Sequence, residues 1–184
     1  MKLRFNASLV VAAVLLAGTA TVYAEDSRRS GFWGGLDIGA GRVERSVGSS
    51  NNSGADFYMG FKAGYALHPQ VLAGVELSGW NQEATDWDDD TKGEGLMQVF
   101  LISRLYPMRD SNLFAKVVGG CVRQWENGPA GKSTLDGWGA TLGLGYDIFV
   151  GDKWAVTPFL NYGFGKTEKQ DHQTITLGVG VSFF

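Results

Sequence analysis

The sequence predicts an all-β protein, an eight-stranded antiparallel up-and-down transmembrane β-barrel. Three observations predict it: eight segments of alternating apolar residues, an opposite face of glycine with scattered charge, and an apolar leader at the start of the chain. After that leader the sequence has no apolar run of the length of a spanning helix, so strands would have to cross the membrane.

The first residues have the pattern of a cleavable signal peptide. Lys2 and Arg4 give a positive start, an apolar run follows over 9–17, and Val22-Tyr23-Ala24 fits the small-x-small cleavage rule. The apolar run is shorter than the roughly 20 residues that a spanning helix needs. We therefore expect 1–24 to be removed after export and 25–184 to form one barrel domain.

Each predicted strand has about ten residues, the length that a tilted strand needs to cross hydrocarbon. The predicted strands are Phe32–Gly41, Asp56–Ala66, Val71–Trp80, Leu96–Tyr106, Leu113–Arg123, Gly137–Ile148, Trp154–Gly165 and Thr174–Phe184. The predicted connections are long at Arg42–Ala55, Asn81–Gly95, Gln124–Asp136 and Lys166–Gln173, and short at Leu67–Gln70, Pro107–Asn112 and Phe149–Lys153. Long outer loops and short periplasmic turns alternate in this way in outer-membrane barrels, which predicts both ends of the domain on the periplasmic side.

The two faces of the predicted strands differ in character. One face is apolar throughout, and the other combines glycine with charged residues; these are Asp37, Lys62, Glu76, Arg104, Lys116 and Asp147. A polar interior inside an apolar exterior is typical of transmembrane barrels. Charges in a narrow lumen must be paired, so the balanced set predicts an internal ionic network that closes the lumen. An eight-stranded barrel encloses room only for side chains, which argues against a general diffusion pore.

Aromatic residues concentrate near the ends of the predicted strands. They are Phe32, Trp33, Trp80, Tyr106, Trp125, Trp138, Tyr146, Phe149, Trp154, Tyr162 and Phe164. This placement favours two girdles at the membrane interfaces, the alternative being a general preference of aromatic residues for strands.

Three stretches resemble the eight-stranded outer-membrane β-barrel family that includes the OmpA-like, OmpX-like and opacity-type, porin-like proteins. They are GFWGGLDIG at 31–39, WGATLGLGYD at 138–147 and GVGVSFF at 178–184, and the resemblance extends over the chain that follows the leader. It implies a place in the outer membrane of a Gram-negative bacterium, contact with outer-membrane lipids and lipopolysaccharide, and insertion by the outer-membrane assembly machinery. It also implies an assembly signal at Phe183 and Phe184, of which only Phe183 is in phase with the apolar positions.

The sequence assigns no catalytic residue and no cofactor. His68 lies beside Pro69 in a predicted turn. His172 lies in the last predicted outer loop, near Glu168 and Asp171 but without a His-x-Ser motif. A lipid A-modifying enzyme that uses His172 is the alternative, since such chemistry needs a histidine with a serine and a carboxylate.

The predicted outer loop with an acidic run, Asp86–Glu94, resembles a calcium loop only at its start. Thr91 and Met97 stand where that loop needs glycine and glutamate, so a solvated loop is expected and no metal site is assigned. Divalent ions that join these carboxylates to lipopolysaccharide phosphates are the weaker alternative. The net charge of −3 argues against nucleic acid as a partner, and Cys121 is the only cysteine, which excludes an intrachain disulfide.

The expected function is non-enzymatic. The sequence predicts a monomeric barrel with a structural or surface-interaction role, whose outer loops are available to an extracellular ligand. The second alternative, beside the lipid A-modifying enzyme, is a narrow gated channel through the ionic lumen.

We expect the protein in the outer-membrane fraction, and we expect an unheated sample to migrate faster on a detergent gel than a boiled one. A closed barrel stays compact in cold detergent because its strand ladder has no edge at which to open. Equal migration of the two samples would contradict the barrel.

Overall fold

The computed structural model describes residues 28–47, 50–82, 94–128, 131–167 and 171–184. Its strands are β1 (Gly31–Val47), β2 (Ser50–His68), β3 (Val71–Gln82), β4 (Glu94–Leu105), β5 (Leu113–Gly128), β6 (Gly131–Tyr146), β7 (Ile148–Phe149), β8 (Trp154–Thr167) and β9 (Asp171–Phe183). Within these ranges, no helix is long and apolar enough to cross a membrane. The predicted signal peptide, 1–24, lies outside the described residues.

The strands form a closed antiparallel ring. From β1 to β6 each strand pairs with the next along the chain, β8 pairs with β6, β7 and β9, and β1 pairs with β9 from Gly34↔Phe183 to Ser46↔Asp171. This seam removes the two free edges that an open sheet would expose to hydrocarbon, where unpaired backbone groups are not tolerated. The predicted up-and-down barrel is thereby confirmed.

The short strand β7 is the continuation of β6. Pairing between β6 and β8 stops at Gly145↔Phe159, and pairing between β7 and β8 resumes in the same register at Ile148↔Val156. Pro158 lies opposite the interruption, and proline has no N–H group to donate to a ladder. The ring therefore contains eight spanning strands, with β6 and β7 together acting as one.

The strands extend well beyond the predicted outer boundaries. The predicted loop at Arg42–Ala55 is mostly paired strand, with ladder pairs that run from Arg42↔Ala55 to Val47↔Ser50, and the predicted loops at 124–136 and 166–173 are shortened in the same way. The prediction of long outer connections was wrong at these three places. Outside the hydrocarbon both faces of a strand meet water, so the ladder continues where the apolar alternation ends.

The apolar face points outward along the whole ring. Phe32, Leu101 and Leu177 are among its most exposed members, at 79%, 73% and 68%. In β4, which is apolar on both faces, Val99 is exposed and Phe100 is buried, in agreement with the predicted phase. Side chains that would be a core in a soluble protein therefore form a continuous belt for lipid contact.

Some of the predicted girdle residues lie inside the barrel. Trp33, Trp80 and Tyr106 are at most 5% exposed, because their positions belong to the inward phase of their strands. On the exterior, Phe32 packs against Tyr65 with ring centroids 5.3 Å apart, and Trp154 packs against Phe183 at 5.2 Å. The girdle prediction was wrong for the three inward residues because position near a strand end does not decide the face.

Large luminal side chains pack over luminal glycines of neighbouring strands. The ring of Phe114 lies over Gly145, and a Cβ atom added to Gly145 would lie 2.8 Å from Cε1 of that ring. The ring of Phe100 lies over Gly120 in the same way, with Cδ1 at 2.9 Å from an added Cβ. The glycines of the inward face thus provide the space that the aromatic side chains occupy.

Gly145→Ala should lower the free energy of unfolding by about 1–3 kcal/mol, because its methyl group would overlap the Phe114 ring in a closed lumen. Urea unfolding in detergent micelles, followed by tryptophan fluorescence, measures the change. Gly119→Ala is the matched control, since a Cβ at this outward position would meet only a carbonyl oxygen at 3.8 Å. Equal stability of the two variants would contradict the packing of Phe114 over Gly145.

Candidate functional site in the barrel lumen

Asp147, at the end of the lumen that the loop pattern predicts on the periplasmic side, makes two hydrogen bonds and one ion pair. The hydroxyl groups of Tyr106 and Thr157 donate hydrogen bonds to its carboxylate, with O···O distances of 2.6 Å and 2.7 Å. The guanidinium of Arg104 lies 3.8 Å away. Asp147 has no exposed surface, so its charge depends on these groups instead of water.

Arg104 is held between rings as well as beside a carboxylate. Its guanidinium carbon lies 4.4 Å from the ring centre of Phe114 and 4.9 Å from that of Trp33. Its Nη1 atom lies 3.5 Å from the hydroxyl of Ser182, whereas its Nε atom has no hydrogen-bond partner among the described residues. Contact with aromatic faces stabilises a guanidinium that water cannot reach.

Two further ion pairs lie in the lumen. Lys62 contacts the carboxylate of Asp37 on the neighbouring strand β1. Lys116 on β5 lies 3.1 Å from the carboxylate of Glu76 on β3. All four charged side chains are at most 5% exposed. The structure therefore brings the six charged residues of the inward face together as Asp37–Lys62, Glu76–Lys116 and Asp147–Arg104.

Aromatic rings cross the bore beside the ion pairs. Tyr58 donates a hydrogen bond to Glu76, with an O···O distance of 3.3 Å, and its ring centre lies 5.9 Å from that of Phe159 on the far wall. Nζ of Lys116 lies 5.9 Å from the same Phe159 ring. Charges and rings thus occupy the bore together, and each charged group has an oppositely charged neighbour in a region of low dielectric constant.

Arg29 lies buried at the same end of the lumen as Asp147, and the sequence analysis did not identify it. It precedes β1, it is 2% exposed, and its guanidinium carbon lies 4.0 Å from the ring centre of Tyr106. Its terminal nitrogen atoms lie 3.5 Å from the carbonyl oxygen of Ser111 in the β4–β5 connection. No periodic pattern marks a residue outside a strand, so the sequence offered no signal for this contact.

The two histidines lie in different surroundings. His172 was expected in an outer loop, but it belongs to β9, points into the lumen and is 5% exposed. The expected loop was wrong because β9 begins earlier than the apolar alternation does. His68 ends β2, and its Nδ1 atom accepts a hydrogen bond from the backbone N–H of Gln70 at 3.2 Å, as suits a turn.

The other residues that the sequence analysis names do not lie together in the structure. Phe183 is on the exterior, whereas Phe184 is 4% exposed and packs against Phe149, with ring centroids 5.5 Å apart. Cys121 is exposed on the outward face of β5. The acidic run at 86–90 lies outside the described residues, and within the described ranges no group of three or more histidine, cysteine or acidic residues could hold a metal ion.

Lys116→Met should lower the free energy of unfolding by about 3–5 kcal/mol, because it leaves the Glu76 carboxylate buried without its cation. The double variant Lys116→Met/Glu76→Gln should recover most of this loss, since it removes the uncompensated charge. Urea unfolding in micelles measures both.

Arg123→Ala is the control for the loss of a surface ion pair. Arg123 and Asp136 are 2.7 Å apart, but their side chains are 62% and 64% exposed, so we expect no measurable change. A loss in Lys116→Met no larger than that in Arg123→Ala would contradict the importance of the buried pair.

Comparison with known proteins identifies the fold. No family model matches the sequence, and no curated protein matches it. Among solved structures, the chain is similar to Neisserial surface protein A, with a TM-score of 0.61 and 17% identity over 84% of this chain and 97% of that chain. It is also similar to Ail, the attachment invasion locus protein of Yersinia pestis, with a TM-score of 0.55 and 12% identity over 84% of this chain and 99% of that chain.

A third similar structure is that of the outer membrane protein AlkL in lipid bilayers. Its TM-score is 0.53, at 10% identity over 90% of this chain and 94% of that chain. These likenesses agree with the closed ring and with the apolar belt, whose exposed side chains suit contact with lipid. The chain has the fold of the small eight-stranded outer-membrane β-barrels.

Proposed function

We propose that this protein is a monomeric, non-enzymatic barrel with a closed lumen and a structural or surface-interaction role. The observation that carries the proposal is the filling of the bore by paired charges and aromatic rings. Asp147, Lys62 and Glu76 are each at most 5% exposed, so no water-filled path runs beside them. We therefore place the function on the exterior and on the outer rim, the strand ends that extend past the apolar belt.

The outer rim supports a role in surface contacts. The strands continue past the apolar belt, and their outward faces there carry cross-strand ion pairs such as Arg123–Asp136 at 2.7 Å and Lys166–Asp171 at 3.5 Å. These side chains follow the outward apolar positions of the same strands, so in a membrane they would meet the headgroup region, where lipopolysaccharide carries its phosphates. Mixed charge on a firm β-hairpin suits contact with headgroups and with an extracellular ligand.

One similar structure bears on the ligand. Ail has been solved in complex with the heparin analogue sucrose octasulfate, at a TM-score of 0.54 and 11% identity to this chain over 84% of this chain and 99% of that chain. By analogy, the outer ends of the present barrel would take an extracellular partner. A sulfated one is disfavoured, because acidic residues dominate the stretch 83–94 and like charges repel.

The position of His172 supports the absence of lipid A chemistry. Catalysis on lipid A would require the imidazole to face the outer leaflet, whereas this side chain points into the lumen and is 5% exposed. Phe183 and Phe184 keep their proposed role as the signal for the assembly machinery, which would read them before the barrel closes.

Purified protein in planar bilayers should show no steady conductance, because the ion pairs and rings leave no continuous aqueous path. Lipid A from cells with and without the protein should give the same mass spectrum. Stable conductance would overturn the closed lumen in favour of a gated channel, and a new lipid A species would overturn the non-enzymatic role. An eight-stranded barrel of known closed lumen and a porin are the negative and positive controls for conductance.

A further inference from the structure

The residues that precede β1 turn inward at the mouth of the ring where β1 begins and β9 ends. We call these residues, 28–30, the strap. β1 starts at Gly31, whose φ of 81° lies in the left-handed region that glycine adopts without strain. This conformation changes the direction of the chain at the first ladder pair, between Gly31 and Ala66, so the strap leaves the line of β1.

Arg29 connects the strap to the opposite wall of the ring. Both terminal nitrogen atoms of its guanidinium lie 3.5 Å from the carbonyl oxygen of Ser111, and the guanidinium carbon lies 4.0 Å from the ring centre of Tyr106. Tyr106 follows β4, and Ser111 precedes β5. With β6 and β7 counted as one strand, β5 is four strands from β1 in either direction round the ring. Arg29 therefore joins the two walls that are furthest apart.

The ring that Arg29 covers belongs to the buried network around Asp147. The hydroxyl of Tyr106 donates the 2.6 Å hydrogen bond to the Asp147 carboxylate. The backbone N–H of Asp147 donates to the carbonyl oxygen of Asn112 at 3.0 Å, in the same connection that contains Ser111. The strap thus closes over the point at which this network meets the β4–β5 connection.

Arg28 connects the strap to the wall beside the β1–β9 seam. Its guanidinium carbon lies 5.5 Å from the ring centre of Phe149 on β7, and that ring packs against Phe184 with centroids 5.5 Å apart. Phe184 in turn donates its N–H to the carbonyl oxygen of Lys153 at 2.9 Å. Arg28 is exposed whereas Arg29 is buried, so the contact of Arg28 is the weaker of the two.

The contact between Arg29 and Ser111 requires a closed ring. Neighbouring strands lie about 4.8 Å apart, so four spacings of an open sheet would place β1 and β5 about 19 Å apart. That separation exceeds the length of an arginine side chain. Pairing of β1 with β9 curls the sheet and brings the strap to face the β4–β5 connection. An interaction that is absent from the transition state of closure slows unfolding and leaves the folding rate unchanged.

We infer that the strap is a latch, which docks after the ring has closed and sets how long the barrel stays closed. Arg29 supplies its main contact, Arg28 supplies a second and weaker one, and Gly31 is its hinge. The latch controls the lifetime of the folded barrel and not its contacts with other molecules. It therefore exists whether or not the outer rim makes the surface contacts proposed above.

Arg29→Met tests the latch, because methionine keeps a long apolar side chain but loses the guanidinium that binds Ser111. Protein folded in lipid vesicles is diluted into concentrated urea, and the compact fraction is followed with time on an unheated gel. Refolding is followed from urea into the same vesicles. We expect unfolding to be at least about tenfold faster and refolding to stay within about twofold of the unaltered protein.

Arg28→Met is the control for the loss of a positive charge from the strap. Because Arg28 is exposed, we expect its unfolding rate to rise by less than about fivefold. An effect as large as that of Arg29→Met would overturn the role of Arg29. Slower refolding of Arg29→Met with unchanged unfolding would mean that the contact forms before closure, and this result or two unchanged rates would overturn the latch.

Gly31→Ala tests the hinge while every side chain that makes a contact of the strap stays in place. A Cβ atom at Gly31 would meet nothing within 4 Å, so the substitution strains only the backbone. Gly151→Ala is the matched control, since Gly151 has a φ of 122°, equally open space and a place in the β7–β8 turn. We expect faster unfolding in Gly31→Ala and an unchanged unfolding rate in Gly151→Ala, because that turn forms with its hairpin before the ring closes. Equal unfolding rates in the two variants would overturn the latch.

Discussion

The narrow bore of an eight-stranded ring is the constraint on which the rest of this structure depends. A ring of this size encloses side chains and little else. Some large luminal rings therefore take the space that a glycine on a neighbouring strand leaves, as Phe114 does over Gly145. Charged side chains can enter only beside opposite charges, since there is no room for the water that would otherwise surround them. The luminal glycines and the pairing of the luminal charges both follow from the width of the bore.

The interior and the exterior of this barrel stabilise the fold by different means. The exterior is apolar, but lipid is as apolar as the side chains, so it places the barrel in the membrane without selecting one arrangement of strands. The interior selects the arrangement of the strands, because its hydrogen bonds and ion pairs join strands that are distant in the sequence. Tyr106 on the β4–β5 side and Thr157 on β8 both bind the carboxylate of Asp147. A shift of either strand by one residue would turn its inward side chains outward, so that these polar groups would face lipid.

The alternation of the sequence was enough to predict the strand number, the ring topology and the face of each strand. It also predicts that Asp37 and Lys62 share the lumen, because a period of two is a local property. It could not predict which acid meets which base, since Glu76 meets Lys116 across strands whose relative stagger depends on the whole ring. It missed the outer extensions of the strands, where water replaces lipid and the alternation fades. Arg29 was missed because its contact depends on a connection far along the chain.

The seam between β1 and β9 has a consequence for the order of events in folding. It pairs Gly34 with Phe183, whereas the other ladders join spanning strands that are neighbours along the chain, with β6 and β7 acting as one strand. Hairpins of neighbouring strands close short loops at small entropic cost, but the seam must bring together the two most distant strands of the domain. Until it forms, two strand edges are open to pairing with any other chain. The chain is thus prone to aggregation until the β1–β9 ladder forms, and the closed ring no longer offers a free edge. The yield of folded protein therefore depends on how the edges of β1 and β9 are shielded before they pair.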